Sequence, residues 1–353
     1  MSLIKANGYN IAIGKDALKT LSAYLKKSKY SSYFIICDEN TIRFCLPKLI
    51  MSCPALKDAE ILELESGEES KSIEFSAHIW QTLIENKADK NSLIINLGGG
   101  VVSDLGGFCA STYKRGIDFI NVPTSLLAMA DASVGGKTGI DFAGLKNSIG
   151  TFAQPKSVFV NPGFLETLSP RHYKNGLAEI FKIAIISDKK FFEELKNLKG
   201  DHKIESIITK SIALKNKLVL KDPFDKGTRN ILNFGHTIGH AIESLLLGTT
   251  NELLHGEAVV IGMMIESYIA FDKKMLSKKE LDEIISVLKK EFAPQNILHL
   301  NFVSMIELLK NDKKTFKNKF KLALINKIGA CKYNLEASEA QIKKAIDLYN
   351  STI

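Results

Sequence analysis

Three of the seven histidines fall within 20 residues. His236 and His240 stand four apart in Gly-His-Thr-Ile-Gly-His, so a helix through them presents both imidazoles on one face. His255, in His-Gly-Glu, opens the next helical stretch and could swing back to the same point. Glu179, in Gly-Leu-Ala-Glu on an earlier helical pattern, supplies a carboxylate. Two histidines and a carboxylate leave a coordination position open for a substrate oxygen, which is the pattern of a catalytic metal. A His-x-x-x-His pair alone serves equally well in cores and on surfaces. The third histidine, set among small residues, is what draws the reading toward a metal.

Cations gather around this set. Lys182 follows Glu179 by one turn, and Lys215 lies on a later helical pattern. Arg229 and Asn233 precede His236, and one continuous helix would put them on the face of His236 and His240. That arrangement suits an anionic substrate beside a metal. Lys215 could instead be a solvated helix charge.

Two glycine clusters could meet phosphate. Leu93-Ile-Ile-Asn-Leu-Gly98-Gly99-Gly100-Val101-Val-Ser-Asp104 reads as an apolar strand, a glycine turn and a helix, whose first N–H groups suit a pyrophosphate. It is not a strict G-x-G-x-x-G, because position 103 is Ser, and it follows roughly the fourth strand where a standard dinucleotide fold uses the first. A plain strand–helix turn remains the alternative. Gly135-Gly136-Lys137-Thr138 resembles the end of a P-loop, but Asp131 stands where the first glycine would be and would repel phosphate. Lys137 remains a possible anion ligand.

The elements that position these residues divide the chain. Strand-like runs at Tyr9–Ile13, Tyr33–Cys37, Ala59–Leu64, Leu93–Leu97, Phe119–Val122 and Val158–Val160 alternate with helical patterns at Asp16–Lys27, Ser72–Asn86 and Val101–Ser111. This alternation predicts a parallel α/β sheet. Beyond Pro162 helical periodicity takes over, through Asn175–Ile186, Ile204–Lys221, Ile231–Leu247, Gly256–Phe271 and Lys278–Lys290. The expectation is an α/β, Rossmann-like domain over residues 1–165 and an all-α domain over 166–353, with a ligand site in the cleft between them.

Composition narrows the partners. The 353 residues carry a formal charge of +8, yet only four of the 47 cations are arginine (Arg43, Arg115, Arg171, Arg229). Readers of nucleic acid lean on arginine for bidentate contacts, so the basic excess argues little for that class. Five cysteines without a C-x-x-C pair fit free thiols in a reducing compartment. The start shows no charged and apolar leader, and no stretch reaches about 18 apolar residues. A cytoplasmic protein with no membrane or nucleic-acid partner is expected.

Together these strings resemble the 3-dehydroquinate synthase family over nearly the whole chain. The resemblance rests on Asp38-Glu39-Asn40, Gly67-Glu68-x-x-Lys71, Gly98-Gly-Gly-Val-Val-x-Asp104, Tyr113-x-Arg115-Gly-Ile-Asp and Pro123-Thr-x-Leu-Leu-Ala. It continues through Ser133-Val-Gly-Gly-Lys137-Thr, Lys146-Asn147, Gly176-x-Ala-Glu179-x-x-Lys182, Leu232-Asn233-x-Gly-His236-Thr-x-Gly-His240-Ala and His255-Gly-Glu-Ala-Val.

The resemblance implies an NAD site at Asp38, Asn40, Gly67, Glu68, Lys71, Gly98, Gly99, Gly100, Val101, Asp104, Thr124, Ser125, Lys137, Lys146 and Thr167. It implies zinc or cobalt on Glu179, His236 and His255, leaving His240 to the substrate. The substrate, 3-deoxy-D-arabino-heptulosonate 7-phosphate, would meet Asp131, Lys137, Asn147, Lys182, Lys215, Arg229, Asn233, His240 and Lys314. Arg115 would reach in from the partner subunit of a homodimer. The implied reaction is a transient oxidation at C5, β-elimination of phosphate, re-reduction, ring opening and an intramolecular aldol closure. The chain departs from the family pattern at Leu145, Asn161, Ser169, His172, Pro223 and Asn318, and at Ser125, which keeps the hydroxyl.

Overall fold

The six strand-like runs of the first half all become strands in the computed structural model, which describes residues 1–143, 145–197, 204–311, 315–316 and 319–353. The chain forms two compact units, one of Met1–Tyr173 with His202–Phe224, the other of Lys174–Asp201 with Asp225–Ile353.

The first unit is built on seven strands: β1 (Ser2–Lys5), β2 (Asn10–Ile13), β3 (Tyr33–Asp38), β4 (Glu60–Leu64), β5 (Leu93–Gly98), β6 (Asp118–Pro123) and, after a hairpin, β9 (Ser157–Val160). Their order is β1-β2-β9-β6-β5-β3-β4, parallel throughout except for the β1–β2 edge pair. Central strand β5 is buried along its whole length, as expected of a strand covered on both faces. Phe34, Ile36, Ile94, Leu105, Phe108 and Phe119 share a core with Ile79 and Leu83 of the Ile73–Glu85 helix.

Chain order leaves β3 toward β4 on one side and resumes at β5 on the other. This reversal is a topological switch point, and ligands of open α/β sheets bind at the carboxyl ends of the strands there. The register pairs Ile36 with Asn96, so Asp38 and Gly98 lie two residues further on, at those ends. The glycine turn therefore stands at the switch point although it follows the fifth strand, β5, one later than the sequence suggested because β1 precedes the first strand-like run.

A hairpin, β7 (Lys137–Phe142) and β8 (Leu145–Phe152), was not evident in the sequence. It packs on the Gly100–Thr112 helix, where Ser111 Oγ meets Thr151 Oγ1 at 2.7 Å.

The second unit centres on the His255–Asp272 helix, nearly all of whose side chains are buried against the helices His236–Leu246, Lys278–Phe292 and Glu339–Thr352. The α/β-then-helical plan holds with one addition. A three-stranded antiparallel sheet, β10 (Thr315–Phe316), β11 (Lys319–Lys327) and β12 (Ala330–Ser338), follows the helices. Its lysines flank and interrupt an apolar run in which Phe320 and the continuous stretch Leu322, Ala323, Leu324 and Ile325 are buried. Among the described residues no helix is long and apolar enough to cross a membrane.

Candidate functional site

In the second unit four chemistry-bearing side chains converge. Glu179 comes from the middle of the Pro170–Ser187 helix, His236 and His240 from the first two turns of the His236–Leu246 helix, and His255 from the first residue of the next. Gly256 makes this approach possible. Its N–H donates to Asn175 Oδ1 at 2.5 Å, and a Cβ there would lie 2.2 Å from the Asn175 carbonyl oxygen.

Glu179 Oε1 lies 3.5 Å from Nε2 of both His236 and His255. The three imidazoles have ring centroids 5.1, 5.2 and 5.4 Å apart, and one ligand atom from each lies within 4.8 Å of the others. Each of two rings is held from behind. His236 Nδ1 donates to the Phe234 carbonyl at 3.2 Å, and His255 Nδ1 faces Glu243 Oε2 at 3.4 Å. Backing of this kind turns Nε2 toward a metal.

The electrostatics differ from one ligand candidate to the next, and His255 would have to give up a proton to bind a metal. Glu179 is 2% exposed; burial would raise its pKa, but the Lys182 ammonium and His255 hold it down at about 2. Burial, Lys182 and the neighbouring histidines push His236 well below its ordinary value, so it stays neutral and able to ligate. Burial would lower His255 as well, but hydrogen bonds to Glu179 and Glu243 carry it up to about 9. One ionised oxygen facing two Nε2 atoms, with the Lys182 cation paired to the same carboxylate, fits a divalent cation. His240 shares the cluster, so the geometry of the rings does not set it apart from His236 and His255 as a candidate ligand.

The expected continuous helix through Arg229 does not form. Thr228–Asn233 is a short 3-10 segment, and Gly235 turns left-handed at φ +79° before the helix begins at His236. Arg229 and Asn233 therefore belong to a separate turn and do not share the helix face of the histidines. Arg229 is nevertheless buried, as is Lys182.

The first unit holds the other groups. Gly98 ends β5, and a Cβ on it would meet Val102 at 2.5 Å. The third glycine of the usual fingerprint is displaced rather than missing. A Cβ on Gly106 would fall 1.9 Å from Asn96 Oδ1, so Gly106 lets the helix lie against its strand. The Thr124 N–H donates to the Gly98 carbonyl, and Ser125 Oγ accepts from the Ala128 N–H. Asp38 caps the Glu39–Phe44 helix in a capping box with Thr41, and exposed Asn40 follows it.

Lys71 is the hub of a polar network. Its ammonium, 4% exposed, donates to Asp104 at 2.6 Å and Asn147 at 2.5 Å and lies 3.9 Å from Glu68. Lys146 lies 3.7 Å from the same Glu68 oxygen. The Asn147 N–H donates to Asp141, whose own N–H donates to the Lys71 carbonyl. Separately, Lys215 holds Asp131 through both its carboxylate, at 2.9 Å, and its carbonyl, at 2.7 Å.

Gly67 precedes Glu68 at φ +119°, and Lys137 is exposed at the start of β7. Thr167 ends the Pro162–Thr167 turn, which Asn161 caps through the Gly163 N–H. Arg115 is exposed on a turn where three successive residues have positive φ. Lys314 lies outside the described residues.

The sequence reading missed Glu243, Gly106 and Asp141. Only Glu243 carried a usable signal, since it falls three residues after His240 on the same helix face.

Two family models, described as the N-terminal and C-terminal parts of 3-dehydroquinate synthase, match residues 61–175 and 176–315. A 3-dehydroquinate synthase from Parabacteroides distasonis is 36% identical over 97% of this chain and 98% of its own. One from Campylobacter hominis is 44% identical over 77% of this chain and 79% of its own. Among solved structures, a 2-deoxy-scyllo-inosose synthase complexed with carbaglucose-6-phosphate, NAD+ and Co2+ superposes with a TM-score of 0.88 at 25% identity, covering 98% and 99% of the two chains. The 2-epi-5-epi-valiolone synthase of Streptomyces hygroscopicus, with NAD+ and Zn2+ bound, shares the fold at a TM-score of 0.85 and 24% identity over 100% and 99%.

Proposed function

The chain belongs to the 3-dehydroquinate synthase family, and from that premise we propose how it performs the reaction. It converts 3-deoxy-D-arabino-heptulosonate 7-phosphate to 3-dehydroquinate and phosphate, a lyase reaction with no net oxidation. The observation that carries this reading is the convergence of both Nε2 atoms on Glu179 Oε1 at 3.5 Å.

NAD and a divalent cation, Zn2+ or Co2+, supply hydride exchange at C5 and polarisation of the substrate hydroxyls. Glu179, His236 and His255 are the proposed metal ligands, with His240 turned to the substrate. Buried Lys182 and Arg229, together with Asn233, present fixed donors to the anionic groups, and such preorganised charge need not reorganise as the reaction proceeds. Lys215 and Asp131, already paired, are proposed to hold the sugar, along with Lys137, Asn147 and Lys314. Removal of the proton at C6 is assigned to the departing phosphate itself.

The glycine turn at Gly98–Gly100, with Val101, Asp104, Thr124 and Ser125, is the proposed pyrophosphate and nicotinamide seat. Asp38 and Asn40 stand at the adenosine side, with Gly67, Glu68, Lys71, Lys137, Lys146 and Thr167 completing the set. A homodimer is proposed, with Arg115 projecting from its strained turn into the partner's site. A cytoplasmic location is proposed on the free cysteines, four of them buried.

The test is incubation with the heptulosonate phosphate, catalytic NAD and Co2+. Phosphate and dehydroquinate should appear together in equal amounts, without lasting NADH. NADH accumulation without phosphate release would instead identify a polyol dehydrogenase. Sibling cyclases act on sugars lacking the carboxylate, which the cations Lys215 and Arg229 suit poorly. Arg229→Ala should raise KM for the heptulosonate phosphate sharply, and an unchanged KM would sink that assignment.

A further inference from the structure

Two buried carboxylates stand behind the ligand histidines. Glu243 faces His255 Nδ1 directly. Glu266, 0% exposed on the His255–Asp272 helix, meets the other ligand one peptide away: its Oε2 accepts the Gly235 N–H at 2.7 Å. That N–H belongs to the same peptide group as the Phe234 carbonyl, which accepts from His236 Nδ1 at 3.2 Å. A carbonyl oxygen can only accept, so the His236 proton sits on Nδ1. The lone pair is then on Nε2, the atom 3.5 Å from Glu179 Oε1.

We propose that Glu266 is a positioning residue for the metal, orienting His236 and strengthening it as a ligand through the 234–235 peptide. The inference rests on the metal site described above. A carboxylate at one end of an amide polarises it, so its carbonyl becomes a better acceptor. A better acceptor at Nδ1 fixes the ring and raises the basicity of Nε2.

The local packing leaves this peptide little freedom. Gly235 is left-handed, and a Cβ on it would meet Met263 Cγ at 2.5 Å. A Cβ on Gly262, one turn before Glu266, would fall 1.9 Å from the Gly235 carbonyl oxygen. The helix carrying Glu266 thus lies against the turn that launches His236. Burying a carboxylate is expensive, and an apolar residue would fill the same space if packing were the only demand.

The test compares full-length wild type with Glu266→Gln and Glu266→Asp. The first removes the charge in nearly the same shape; the second keeps the charge but shortens its reach. Co2+ affinity is read by competition with a coloured chelator, ligand geometry by the visible Co2+ spectrum, and folding by circular dichroism of the metal-free proteins. Both variants should fold, bind Co2+ about tenfold more weakly and show shifted visible bands.

A folded variant with wild-type affinity and spectrum overturns the inference while leaving the metal site intact. A wild type that takes up no Co2+ overturns the metal reading and this inference with it. Should neither variant fold, long-range 1H–15N spectra of the wild type decide. His236 in the Nδ1–H tautomer supports the arrangement, and an Nε2–H tautomer overturns it.

Discussion

Lys71 Nζ lies 2.6 Å from Asp104 Oδ2, binding a buried cation to the helix that the glycine turn opens. Burial raises the Asp104 pKa and the Lys71 cation opposes that, so each group depends on the other. Replacing Lys71 by Met strands a carboxylate and removes the hydrogen bond that ties the hairpin's Asn147 to Lys71. The expected loss is about 3 kcal/mol of stability, measured by urea unfolding, with weaker NAD binding. Adding Asp104→Asn should recover a good part of the stability. A single variant as stable as wild type would show that the pair does not matter.

Gly106→Ala places a methyl 1.9 Å from Asn96 Oδ1, between a buried helix and the central strand. Overpacking of this kind costs about 1–3 kcal/mol. Asn96→Ala alone loses a hydrogen bond to Asn121 and also destabilises. The double variant should nonetheless be more stable than the two penalties added together, because the second change removes the atom that the first one strikes. Strict additivity in denaturant titrations would place the clash elsewhere.

The proposed metal ligands call for different substitutions. Glu179→Gln removes metal but also leaves the Lys182 cation buried without its charge partner, a change worth about 3–5 kcal/mol. His255→Ala at the helix start is the cleaner variant. It should keep the fold, fail to retain stoichiometric Zn2+ after gel filtration and show no phosphate release. Chelation of the wild type should abolish turnover, and added Co2+ should restore it. Full metal content in His255→Ala would refute the ligand set.

Burial pushes the thiols of Cys37, Cys45 and Cys109 up to about 12 and that of Cys53 to about 11. A folded-state pKa above the unfolded one contributes stability that is fully present below about pH 9 and lost as pH rises through 11–12. Each thiol adds at most about 1.4 kcal/mol per pH unit to that alkaline slope. Cys37→Ala should therefore flatten the fall in urea midpoint between pH 9 and 10.5. At pH 8 a thiol reagent should leave these four untouched in the native protein and reach all five cysteines in guanidinium.

The histidine cluster was legible because two of its members sit four apart on one helix and the third opens the next. The helix break at Gly235 was not, since a lone glycine passes unnoticed within apolar periodicity while its left-handed φ depends on the packed neighbour, Gly262. The six strands of the parallel sheet could be read from β-branched runs. The β7–β8 hairpin could not, because β8 is mostly exposed and carries no clean alternation. The glycine turn looked misplaced after a fourth strand. Strand order alone, which no local pattern encodes, puts it at the switch point.

The chain enters and leaves each unit more than once, and this bears on how the protein is made. A nascent chain that has reached Tyr173 still lacks the Ile204–Lys221 helix, and with it the Lys215 partner of Asp131. Translation proceeds at roughly 5–20 residues per second, so the first unit must wait several seconds, while a piece of the second is being synthesised, before its last helix emerges. No single cut in the gene separates the two units, and a fragment ending near residue 173 leaves Asp131 without that lysine.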